Sequence, residues 1–163
     1  MNFFAIKGLR SFTLAELVIV ILIAGILGAV GLPIIGGAFA DMGLRSAAQR
    51  LVADLNYMRN MAITEGSDCG FEFTGATYKA FKLGAGGVHE QLIHPIKHTP
   101  WAVDTSDDKI KLAPDFSGTA EMYFDASGSP HPAGTIVLAA NGLTITITVQ
   151  AGTGRVSAQR DQG

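Results

Sequence analysis

Three patterns of apolar and polar positions follow one another along the chain. From Leu17 to Ala40 no residue is charged. That run is about 24 residues long, and about 20 suffice to cross a bilayer core as a helix. Gly25, Gly28, Gly31, Gly36 and Gly37 punctuate it, and Pro33 removes one backbone donor, which predicts a kink rather than an end. After Ala40 the period becomes helical and one-sided. Leu44, Ala48, Leu51, Leu55, Met58 and Ala62 recur at alternating spacings of four and three, the mark of an amphipathic helix with one buried stripe. Gly66 is its natural stop. The greasy face of this second segment needs a partner, and the rest of the chain supplies one.

From Cys69 onward the pattern predicts strands. Phe71 and Phe73 stand across Gly75 from Tyr78, Ala80 and Phe81, which predicts a hairpin. Further short strands are expected at Leu92–Ile96, around Trp101 and Val103, at Ile110–Leu112 ending at Pro114, and at Met122–Phe124, with loops at 84–87, 104–108 and 125–132. The clearest hairpin is Thr135–Ala139 with Leu143–Val149, turned at Asn141-Gly142. In its second strand Leu143, Ile145, Ile147 and Val149 face one way and the intervening threonines the other. A last short strand is expected at Arg155-Val156, then a polar tail. The fold class is therefore α+β: a long N-terminal helix whose second half packs on an antiparallel β domain.

Composition narrows the function. Hydrophobic residues make up 48% of the 163 and charged residues 16%, at a net charge of −2. This is not the basic balance of a nucleic-acid binder. The single Cys69 has no partner for an internal disulfide and is read as a small buried hydrophobe. Lys7 and Arg10 precede the apolar run and place the N-terminus in the cytoplasm. Glu16 stands just inside the start of the run. A carboxylate left unpaired in a membrane helix costs on the order of 2.5–3.5 kcal/mol, so such a residue needs a partner.

No catalytic or metal constellation emerges. His94 and His98 are four apart, but Pro95 disfavours the regular helix that would make them a zinc pair. Asp104, Asp107 and Asp108 lack the glycine and terminal glutamate of a calcium loop and read as a solvated turn. No phosphate-binding loop is present, so the chain is not an ATP-driven motor. No cofactor is called for, and an enzyme reading has no support.

The stretch Ser11-Phe12-Thr13-Leu14-Ala15-Glu16-Leu17, behind a short basic leader and ahead of the apolar run, resembles the class III signal of type IV pilins and pseudopilins. The resemblance implies cleavage by prepilin peptidase between Ser11 and Phe12, N-methylation of Phe12, and Glu16 as the fifth residue of the mature chain, where it serves subunit assembly. Gly25 and Pro33 fall where pilins commonly carry a glycine and a kinking proline. Ser11 departs from the family's preference for Gly before the cut. The order of elements resembles the GspH/FimT group of pseudopilins and minor pilins. So do Arg59-Asn60-Met61-Ala62-Ile63 and the closing Ile-Thr-Ile-Thr-Val with Thr153-Gly154-Arg155-Val156.

The implied organisation is a leader at 1–11, a transmembrane and filament-core helix at 12–40, an amphipathic helix at 41–66 and a periplasmic β domain at 67–163. Loss of the leader takes Lys+Arg from 12 to 10 against 14 Asp+Glu. The implied location is the inner membrane, single-pass, and then a periplasmic pseudopilus or pilus. The implied partners are other pseudopilins or pilins, prepilin peptidase, the inner-membrane assembly platform and membrane lipid. Two machines are open: a type II secretion pseudopilus, which helps export folded proteins, and a type IV pilus. Some FimT-type pilins end in a DNA-binding Gly-Arg-x-Arg element. Here Gly154-Arg155-Val156-Ser157 replaces the second arginine, which favours secretion over DNA uptake.

Overall fold

A computed structural model describes residues 13–106 and 109–161, with the side chains of 29–40 excepted. The leader, Ser11, Phe12, Asp107 and Asp108 lie outside the described residues. The chain divides into two compact units between Ala38 and Phe39.

One helix, α1 (Leu14–Glu65), contributes to both units. Its assignment continues through Pro33, whose side chain lies outside the description. The helix ends as the sequence predicts. Gly66 adopts φ 63°, and the Ser67 N–H donates to the Ala62 carbonyl at 3.2 Å, a left-handed glycine cap.

Among the described residues ten strands follow: β1 (Cys69–Thr74), β2 (Thr77–Leu83), β3 (His89–Gln91), β4 (Ala102–Asp104), β5 (Lys111–Asp115), β6 (Glu121–Phe124), β7 (Pro130–His131), β8 (Gly134–Ala140), β9 (Leu143–Val149) and β10 (Val156–Asp161). They form two antiparallel sheets. The larger runs β3-β2-β1-β6-β7, with β4 also on β2, and the smaller runs β10-β9-β8-β5. Asn141 and Gly142, at φ 50° and 79°, make the two-residue turn that joins β8 to β9.

The core lies between the helix stripe and both sheets. Leu44, Ala48, Leu51, Leu55, Met58 and Ala62 are all buried, in one cluster with Phe71, Tyr78, Trp101, Phe116, Ile136, Leu138 and Ile147 of the β domain.

Four expectations need correction. The strand expected at Leu92–Ile96 lies earlier, at β3. Ile93 makes only an isolated bridge to Pro100, and Ile96 is 82% exposed in a turn. Pro95 removes a ladder donor there, and His98 takes φ 53°. The strand expected to stop at Pro114 continues through it to Asp115, because β5 is a sheet edge, where proline is tolerated. The expected polar tail is instead β10, paired with β9 along its length. The 125–132 loop also contains the short β7.

Candidate functional site

The first described turn of α1 is capped by Thr13. Its carbonyl accepts from the Leu17 N–H at 3.2 Å and its hydroxyl from the Glu16 N–H at 3.3 Å. Glu16 is exposed and is the only charged residue from Thr13 to Gly28. The positive end of the helix favours its carboxylate. Around it the apolar side chains are uncovered on every side, from Leu17 at 55% to Leu27 at 68% exposure. A continuous exposed apolar surface marks a place where something else binds. Added Cβ atoms at Gly25 and Gly28 would meet nothing within 4 Å. Among the described residues, no helix is long and apolar enough to cross a membrane.

In the second unit the residues of the family-like segments meet one another. Arg59 of α1 donates from Nε to the Gly128 carbonyl at 3.3 Å. Gly154 takes φ 61°, and a Cβ there would collide with that same carbonyl. The Ser129 hydroxyl donates to the Gly152 carbonyl at 2.8 Å, tying the 125–129 loop to the β9–β10 turn. The loop is held from within by Asp125, whose Oδ1 accepts from the Ser127 N–H, the Ser127 hydroxyl and the Ser129 N–H. The Ser127 hydroxyl and His131 hold the Asp125 carboxyl well below the usual range. Sequence reasoning misses these long-range contacts. Gly154-Arg155 is their one visible signal.

The remaining candidates sit apart. His94 Nδ1 accepts from the N–H groups of Ile96 and Lys97, at 3.2 and 3.3 Å. Asp104 accepts from the Ser106 N–H. Among the described residues no cluster of three potential metal ligands occurs. Arg160 lies 3.5 Å from Asp41. Cys69 is fully buried, and burial pushes its thiol pKa up.

The helix is thus uncovered in its first part and buried along one stripe of its second part against antiparallel sheets. Residues 47–154 match the family described as Type II transport protein GspH, and the chain belongs to that family. Its fold is similar to that of the minor pseudopilin EpsH from the type II secretion system of Vibrio cholerae. That match has a TM-score of 0.60 at 15% identity, over 74% of this chain and 96% of that one. It is also similar to the type IV minor pilin FimU of Pseudomonas aeruginosa, with a TM-score of 0.55 at 19% identity, over 73% of this chain and 92% of that one. No curated protein matches the sequence.

Proposed function

We propose that the chain is a minor pseudopilin of a type II secretion pseudopilus. The observation that carries this reading is the uncovered apolar surface of Leu14–Leu27 with Glu16 as its one charge, joined to a GspH domain. In this reading prepilin peptidase cuts between Ser11 and Phe12, and Phe12 is N-methylated. The 12–40 helix holds the chain in the inner membrane with the β domain in the periplasm. On assembly the Phe12 amine leaves the bilayer for a low-dielectric helix bundle, where Glu16 of an adjacent subunit neutralises it. A buried charge is tolerated when paired and costs about 3–5 kcal/mol when its partner is removed. The pair thus checks register, and Pro33 shapes the packed helix.

Glu16→Ala should still insert and be cleaved, but should enter filaments at least about tenfold less well, given that cost. Normal incorporation of the variant would overturn the assembly role. The machine is tested in a deletion strain of the native host, by mass spectrometry of periplasm and medium. Exported proteins retained in the periplasm support secretion. Unchanged export, with lost pili, supports the second reading, a type IV minor pilin, the class of FimU, whose fold is also similar.

A further inference from the structure

Sheet edges invite strand pairing, and most edges in this domain are blunted. β7 has two residues, β3 and β4 have three each, and β5 carries Pro114. β10 differs: it has six residues and no proline, and among the described residues nothing pairs with its outer side.

The phase of its hydrogen bonds follows from the preceding turn. The Gln150 N–H donates to the Arg155 carbonyl at 2.9 Å, and the Gly154 N–H to the Gln150 carbonyl at 3.0 Å. Gln150 therefore faces a bulge at Gly154-Arg155. Alternation from there directs the backbone groups of Ser157, Gln159 and Asp161 to β9, and those of Val156, Ala158 and Arg160 outward.

Beside this edge runs a groove of about 320 Å³ between β10 and α1, with Ala48, Val52, Ile145 and Ala158 along it. Arg45 and Arg160 stand at its mouth and share a single carboxylate, Asp41, at 3.0 and 3.5 Å. Among the described residues at the groove, two cations thus share one carboxylate.

We propose that β10 accepts an added strand from a partner protein: an extended acidic segment with small apolar residues at alternate positions. The open edge supplies main-chain hydrogen bonds, the groove takes the apolar side chains, and Arg45 and Arg160 select the acidic ones. The inference stands apart from the choice of secretion or pilus machine.

The test uses the full chain in detergent micelles and a peptide of about seven alternating Glu and Val residues, long enough to span β10. Amide exchange should slow at Val156, Ala158 and Arg160 and stay unchanged at Ser157 and Gln159. Ala158→Pro removes an outward donor without touching the β9 ladder, and should weaken binding about tenfold, the worth of one hydrogen bond. Backbone N-methylation of the peptide should abolish binding without altering the protein. Unchanged exchange at the three outward amides, equal binding of the N-methylated peptide, or equal binding of a Lys-Val peptide would overturn the proposal. So would protection of those amides that rises with protein concentration and needs no peptide, because a second copy then holds the edge.

Discussion

The two parts of α1 solve opposite problems. From Leu14 to Leu27 apolar side chains point in every direction, and none of the large ones is buried. From Leu44 to Ala62 the large majority of the burial falls on one stripe, Leu44, Ala48, Leu51, Leu55, Met58 and Ala62, which the domain's own sheets cover, while Tyr57 off the stripe stays exposed. The carboxylates differ likewise. Glu16 stands exposed at the helix N-terminus, while Asp54 accepts a hydrogen bond from the Tyr78 hydroxyl at 2.7 Å. The second part is stabilised from within the chain. The first part has its stabilisation to gain from outside, so substitutions there should spare the fold and strike assembly.

The largest test of that contrast is truncation. Leu55 is 0% exposed, and Leu55→Ala should cost about 2–5 kcal/mol of domain stability through lost burial and a cavity. Leu22, at 63% exposure, should cost almost nothing when changed to Ala. Chemical denaturation of both variants in the same detergent reads the difference. Equal losses would mean that the first part is also held by the domain.

Glycines give the next comparison. Gly154→Ala forces a side chain into the left-handed region and against the Gly128 carbonyl, at a cost of roughly 2–4 kcal/mol from backbone strain and overpacking. Gly25→Ala meets open space and should favour the helix by up to about 1 kcal/mol. If close helix packing in a filament uses Gly25, the same substitution should lower incorporation while leaving the denaturation midpoint unharmed.

Much of this architecture is legible in the sequence. The 44–62 stripe follows one strict period, Gly66 ends it, and Asn141-Gly142 dictates its own turn. Other features leave no local trace. β10 is exposed along nearly all its length, so no alternation marks it as a strand. Pro114 reads as a stop unless the strand is known to be an edge. The contact of Arg59 with Gly128 joins residues 69 apart, and periodicity carries no information at that range. Glu16 is legible through its motif, whereas the uncovered state of the helix around it requires coordinates.

The smallest effect separates two carboxylates of the β-domain unit by pH. Burial raises the Asp54 pKa above its ordinary 3.8, against the opposing pull of the Tyr78 hydroxyl, Arg50, His94 and Lys97. A raised folded pKa means that the ionised form is less favourable folded than unfolded. Asp54 therefore favours the fold most below about pH 4, and its contribution falls as pH rises through the folded value. Asp54→Asn keeps an acceptor for Tyr78 and cannot ionise. Its denaturation midpoint should gain on the unsubstituted chain as pH rises from about 4 toward neutral, with the smallest gap at the acid end. Asp125 has the opposite sign. Its pKa is lowered, so its contribution is present above 3.8 and is lost as pH falls. Asp125→Asn should therefore lose most at neutral pH and least in acid. A gap for Asp54→Asn that is constant with pH would show that burial does not govern this carboxylate, and that the covered part of α1 is more open to water than its packing implies.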